Sequence, residues 1–262
     1  DELAAQGIRF TDAHSAGSLC HPSRYGLMTG QLPFRIDYSK WPKHALIGKD
    51  RMTVASLLQG EGYSTAMVGK WHLGFEEDGY ENPLPGGPVD VGFDSFFGIR
   101  ASTDIPPYFY IDGDRALVPP IDRIDNNYSD DGWTKIQGAF WREGGIAPNL
   151  QLEDVLPRFT DEAVGVIRDH ARSKTDDPLF LYLAYPAPHT PWLPSPAFRG
   201  STNNMYGDFT AMVDHMIGRV LTALEDYDME EETLVIFSSD NGPVWYDKDT
   251  ERYDHASTGG MR

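Results

Sequence analysis

The sequence offers one sulfur nucleophile and a small set of charged groups that could serve it. Cys20 is the only cysteine, and it stands in Cys20-His21-Pro22-Ser23-Arg24. Pro22 suits the first turn of a helix. Cys20 is therefore expected where free backbone N–H groups and the helix dipole favour an anion. Arg24 comes four residues later, on the same helix face. An anion held at Cys20 would meet both. Lys70 and His72 follow an apolar run and are two apart, so in extended chain they point the same way. A Lys gives a compact charge for an anionic oxygen, and a His can move a proton near neutral pH. His189 lies in the proline-rich segment 186–192. Asp240 and Asn241 follow a second apolar run, where two adjacent oxygen side chains suit a hard cation.

Each of these has a plain structural reading too. A lone cysteine is often a buried inert thiol. Arg24 could form a surface ion pair, and Lys-x-His could be a basic strand end. A loop histidine often makes only a structural hydrogen bond, and Asp-Asn-Gly is ordinary turn chemistry. Residue type and spacing alone leave these alternatives open.

The elements that must position the groups are legible in outline. Residues 2–6 read as a helix closed at Gly7, and 8–10 as a short strand. Pro22 is expected in the first turn of a helix running to about Met28, with Gly30 after its end. Residues 53–59 have helical spacing, and 63–69 read as a buried strand. The stretch 75–150 is rich in Pro, Gly, Asp and aromatics, with little periodicity. Residues 159–172 form an amphipathic helix with Thr160 as its expected cap. A buried strand follows at 179–185, a long helix at 205–227 and another buried strand at 233–239. Helices alternating with continuous apolar strands argue for an α/β domain with a covered, mostly parallel sheet. Ligands in such sheets bind beyond the carboxyl ends of the strands. Lys70 with His72, His189, and Asp240 with Asn241 all fall there.

The bulk numbers narrow the partners. The chain has 262 residues, 40% hydrophobic, with 26 Gly and 19 Pro spread along it. That fits a single domain over 1–262 with a sizeable core. Its net charge of -18 argues against nucleic-acid binding, which relies on Lys and Arg. The same charge repels anionic substrates at long range, so an anion site here needs its own cluster of cations. No apolar run is long enough to span a membrane. One cysteine forms no disulfide within the chain and does not fix the compartment.

Cys20-His21-Pro22-Ser23-Arg24 followed by Leu27-Met28-Thr29-Gly30 resembles the sulfatase signature C-x-P-S-R with its T-G pair. The tracts GYSTAMVGKWHLG at 62–74, PHTP at 188–191 and SSDNG at 238–242 fall in the order and rough spacing of that family. The resemblance covers essentially the whole chain. It implies an alkaline-phosphatase-like fold with a mostly parallel central sheet and helices on both faces. It also implies that a separate formylglycine-generating enzyme oxidises Cys20 to formylglycine. The aldehyde hydrates to a geminal diol; one hydroxyl attacks sulfur and releases the alcohol, and the other then expels sulfate. By the same resemblance Arg24 stands beside the diol and metal, Lys70 contacts sulfate and diol, and His72 contacts the diol. His189 is a proton donor to the leaving group, and Asp240 and Asn241, with the modified Cys20, bind calcium. Ser102, in GIRASTD, lies near a sulfate-contacting serine of the family.

The departures matter equally. The family's Asp pair would lie upstream of residue 1, a further Lys beyond the GGMR at 259–262, and a smaller C-terminal subdomain after that. None is in these 262 residues, which read as a piece cut at both ends. Alone they are expected to bind calcium poorly and turn over slowly. The resemblance favours a periplasmic, secreted or lysosomal setting over a cytoplasmic one, and a sulfated small molecule or glycan as substrate. Trp133, Trp141 and Tyr108 could stack on a sugar or belong to the core. Two other readings stand beside the sulfatase: a phosphonate or phosphodiester hydrolase of the same superfamily, and a non-catalytic binding protein derived from a sulfatase. His170 and His215 are expected to be packing or surface residues. His14, His21, His44 and His255 are candidates for the pocket wall that nothing in the sequence selects.

Overall fold

The computed structural model describes residues 2–129, 131–173 and 175–259. Its helices are α1 (Glu2–Gln6), α2 (Cys20–Thr29), α3 (Val54–Gly60), α4 (Val155–Ser173), α5 (Met205–Asp226) and α6 (Asp247–Tyr253). Its strands are β1 (Ser64–Lys70), β2 (Ser95–Ile99), β3 (Ile111–Asp112), β4 (Arg115–Ala116), β5 (Asp122–Ile124), β6 (Gly144–Ile146) and β7 (Leu179–Ala184). The main sheet runs β4-β3-β2-β1-β7, and β5 pairs with β6 as a separate ribbon. β1 lies parallel to both β2 and β7, while β3 and β4 extend the sheet as a short antiparallel edge.

Sequence explains the layers. In β1 every residue from Thr65 to Lys70 is buried, as a strand covered on both faces requires. Alternation sorts the neighbouring side chains. Phe97 of β2 meets Phe159 of α4 edge-on, with ring centroids 6.2 Å apart. Leu181 of β7 packs with Ile167 and Leu224. On the opposite face, Phe180 and Tyr182 stack on Phe93. Helix α4 buries Val155, Leu156, Phe159, Ala163 and Ile167, a helical stripe laid on the sheet. Burying a side chain such as Phe159 contributes about 2–3 kcal/mol.

Three expectations need correction. Residues 8–10 form no strand, and Ile8 and Phe10 are exposed. The apolar run 233–239 is in no strand either, with Leu234, Ile236 and Phe237 exposed. A wholly apolar run settles as a strand only beside a hydrogen-bonding neighbour and under covering helices; among the described residues no strand pairs with it. Thr160 is not a cap. Helix α4 begins at Val155, Pro157 fits its first turn, and Thr160 is fully buried mid-helix. There its hydroxyl bonds the Leu156 carbonyl and the Tyr185 hydroxyl. The stretch 75–150 also holds β2, a central strand. Its five residues are too few for alternation to stand out.

The site is placed by three strand ends. Lys70 is the last residue of β1, Ile99 of β2 and Ala184 of β7. Gly69 lets these ends close up. It adopts φ +119, and a Cβ there would lie 2.2 Å from the Ala184 carbonyl oxygen.

Candidate active site

Helix α2 starts at Cys20 itself, with Pro22 in its first turn as expected. Leu19, its N-cap residue, makes no side-chain capping bond, so the first-turn N–H groups are left for another partner. Cys20 is partly exposed and its thiol is free. Four residues on, Arg24 is buried, at 5% exposure. Its Nε donates to Asp240 Oδ2 at 2.8 Å and its Nη1 donates to the Lys70 carbonyl. Arg24 thus ties α2 to the end of β1 and to the turn after residue 239. Burial works against its charge, but Tyr182 and Asp240 outweigh that and hold its pKa above the usual value.

Lys70 is 2% exposed. Burial and then Arg24 lower its pKa, while Cys20 and Asp240 oppose the shift. His72 does not continue the strand as the extended reading assumes. It adopts φ 63, left-handed backbone that is costly outside glycine. Its N–H still donates to the Arg100 carbonyl at 3.0 Å. The ring is buried, with Nδ1 unpartnered. Desolvation, then Lys70, Arg24, His21 and His189, hold its pKa well below the ordinary histidine value. These surroundings favour the neutral imidazole at His72.

His189 follows β7 in the turn at 188–191. Its Nδ1 lies 2.8 Å from the Thr190 carbonyl. A carbonyl can only accept, so Nδ1 carries the hydrogen and Nε2 is the free nitrogen. Burial and then Lys70 lower the His189 pKa, against Asp104, the Thr190 bond and Asp240. Burial alone would raise the Asp240 carboxyl; Arg24 and Lys70 reverse this and hold it below the usual carboxylate range. Cys20, Arg24, Lys70, His72, His189 and Asp240 therefore act on one another at a single place, beyond the carboxyl ends of β1 and β7.

Ser102 lies in the loop after β2, 2% exposed, with its hydroxyl unpartnered. Asn241 keeps Nδ2 on the Gly242 carbonyl, and its Oδ1 is buried and unpartnered. That orphaned oxygen, beside Asp240, is the kind of ligand calcium takes. Calcium, however, gathers about six to eight oxygens, and one Asp240 oxygen is already held by Arg24. Among the described residues no group of three or more His, Cys, Asp or Glu side chains could hold a metal ion. The chemistry of Asp240 and Asn241 would fit part of the oxygen shell of a hard cation, and among the described residues not the whole of it. The GGMR segment at 259–262 lies almost wholly outside the described residues.

Several neighbours were not singled out by sequence. Of the four unselected histidines, His21 stands beside His72, with ring centroids 5.3 Å apart, and stacks on Trp41 at 5.5 Å. Trp41 also meets His72 at 4.9 Å. Position 21 lies inside the pentapeptide, which was the available signal; Trp41 had none. His14 pairs with Asp12 and His44 with Glu76, both exposed. His255 contributes a carbonyl to Trp245, and His215 packs on Phe198. Trp133 and Tyr108 belong to the core: Trp133 packs edge-on against Trp192, and the Tyr108 hydroxyl donates to the Arg142 carbonyl. Trp141 bonds the Asp125 carbonyl through Nε1.

No described helix is long and apolar enough to cross a membrane. A family model described as Sulfatase matches residues 1–262. Among curated relatives, an N-acetylgalactosamine-6-O-sulfatase of Bacteroides thetaiotaomicron is 30% identical, over 93% of this chain and 53% of its own length. Arylsulfatase A of Homo sapiens is 34% identical over 93% of this chain and 46% of its own. The chain thus spans about half the length of these relatives. A structure from work on glycosaminoglycan metabolism by Bacteroides thetaiotaomicron superposes with TM-score 0.82 at 28% identity, covering 99% of this chain and 61% of that one. A sulfatase from Pseudoalteromonas sp. shares the fold, with TM-score 0.63 at 23% identity over 87% of this chain and 46% of that one.

Proposed function

Because the chain belongs to the sulfatase family, we propose that it carries most of the catalytic centre of a sulfuric ester hydrolase whose nucleophile is made from Cys20. The observation that supports this best is the buried cation pair Arg24 and Lys70 beside Cys20 in a chain of net charge -18. Two buried cations at the uncapped start of a helix form the local anion site that so acidic a protein needs.

A formylglycine-generating enzyme would convert Cys20 to formylglycine, whose hydrated aldehyde supplies a hydroxyl to attack sulfur. The rest falls to this chain's residues. Buried Lys70 and the first-turn N–H groups of α2 hold the sulfate oxygens, as fixed charges and dipoles that need no reorganisation. Arg24 keeps Lys70 and Asp240 in place through its two hydrogen bonds. Neutral His72 offers hydrogen bonds without adding a charge. His189, once protonated at its free Nε2, hands that proton to the leaving oxygen as the S–O bond breaks. Ser102 adds a hydroxyl to the sulfate pocket. Asp240 and Asn241 would contribute two of the oxygens around a calcium ion, with the modified Cys20 a third. The relatives named for N-acetylgalactosamine-6-sulfate make a sulfated glycan the leading substrate class.

The test compares matched aryl sulfate, aryl phosphate and aryl phosphonate substrates on the enzyme isolated from its native host. The sulfate ester should be turned over fastest. A phosphonate or phosphodiester preference would replace this reading by its superfamily alternative, and tight sulfate binding without turnover of any ester would favour the binding protein.

A further inference from the structure

We propose that Asp104 is a positioning residue for His189: an ion-paired carboxylate that keeps the imidazolium form of His189 available as proton donor. Asp104 lies in the loop after β2, and His189 in the loop after β7, on the two sides of β1. The Thr103 hydroxyl donates to the Thr190 carbonyl at 3.3 Å and ties these loops together. Asp104 is 4% exposed, and its two oxygens are used unequally. Oδ2 accepts from Arg142 Nη1, which also donates to the Asp104 carbonyl at 3.2 Å. Oδ1 is buried, has no hydrogen-bond partner and stands 3.7 Å from His189 Nδ1.

An orphaned carboxylate oxygen is expensive to bury. Here it faces the nitrogen that carries hydrogen in both protonation states of His189. The neutral ring presents only a lone pair at Nε2. To give up a proton there the ring must first be cationic, and the surroundings oppose that. Burial and Lys70 at the end of β1 disfavour the cation, and His72 after β1 lies within range of His189. Asp240, from the turn after residue 239, acts the other way but is committed to Arg24. Asp104 is thus the favourable charge closest to the ring. In the reaction the Nε2 proton passes to the departing ester oxygen, which takes the S–O bonding pair, and solvent later reprotonates Nε2. Asp104 does not touch substrate. Arg142, half-exposed and lying over Phe140 at 4.9 Å, fixes the carboxylate from outside.

The inference rests on the sulfatase reading only for the leaving group, so its test has two separate readouts. First, the His189 ring is titrated by NMR in the enzyme as its host makes it, in Asp104→Asn and in Arg142→Gln. The account predicts that the His189 pKa falls in Asp104→Asn. It predicts no fall, or a rise, in Arg142→Gln, which leaves the carboxylate less neutralised. A purely structural role would move both variants in the same direction, and an unchanged titration in Asp104→Asn would overturn the proposal. Should Asp104→Asn not fold, a fall in Arg142→Gln would do the same. Second, kcat of the enzyme is measured on sulfate esters with good and poor leaving groups. Asp104→Asn should cost about ten- to a hundredfold with an alkyl or sugar leaving group and much less with a nitrophenyl one. Equal losses on both would overturn the role. Failure of every sulfate ester to react, with the predicted titration intact, would refute the sulfatase reading and leave the Asp104–His189 coupling standing.

Discussion

Arg24 and Asp240 stand 216 positions apart in sequence, yet Arg24 Nε donates to Asp240 Oδ2 at 2.8 Å with the Arg24 side chain 6% and the Asp240 side chain 23% exposed. The pair joins the first turns of α2 to a turn that, among the described residues, no strand adjoins. Removing one partner leaves the other charge buried and unmatched, the costly way to break such a pair. Arg24→Met and Asp240→Leu should therefore each lose about 3 kcal/mol of unfolding free energy, while the double variant Arg24→Met/Asp240→Leu should recover much of it. Urea unfolding of the four proteins in a double-mutant cycle measures this; additive losses would show that the pair is not coupled.

The buried histidines set an acid-side prediction. His72, and to a lesser degree His21 and His189, have native pKa values lowered by burial first and then by nearby cations, Lys70 in each case. The unfolded chain takes up these protons below about pH 6.5, and the native state does so only at lower pH. Stability should therefore fall as pH drops from about 6.5. Asp240 adds a second loss lower down: its native pKa is depressed, so its contribution is present above about pH 4 and disappears as pH falls further. Unfolding measured between pH 8 and 4 should show the first decline, with a smaller slope in His72→Gln. An unchanged slope in that variant would mean that His72 is protonated in the native state.

Gly69 permits the contact that brings Lys70 and the His189 loop together. Its φ of +119 and its approach to the Ala184 carbonyl oxygen leave no room for a methyl group. Gly69→Ala should destabilise the protein by about 3 kcal/mol or more, through strain and separation of β1 from β7. Thermal unfolding checks this. A cost below about 1 kcal/mol, the ordinary scale for surface changes, would show that the strand ends can shift apart without penalty.

Much of this architecture is legible in the sequence. Helical spacing at 53–59, 159–172 and 205–227, and apolar runs at 63–69 and 179–185, correspond to α3, α4, α5, β1 and β7. These segments have strong periods because one element supplies both the pattern and the burial. The run 233–239 misled because its composition records a doubly covered strand, while pairing depends on a neighbour that the sequence pattern does not supply. His72 misled because extended geometry was assumed across a left-handed residue, and no local residue preference signals φ 63 at a histidine. Ordered motifs named Cys20, Arg24, Lys70 and His189 at once. Asp104 and Arg142 stayed hidden because Asp104 meets His189, and Arg142 meets Asp104, only where separate loops come together, a relation with no short-range signature.

The mass of the peptide containing Cys20, taken from protein made in its native host, bears most directly on the central claim. If Cys20 becomes an aldehyde, that peptide should be lighter than its thiol form and should react with a hydrazide probe. A peptide that keeps the full mass of the thiol, from enzyme that still hydrolyses sulfate esters, would contradict it.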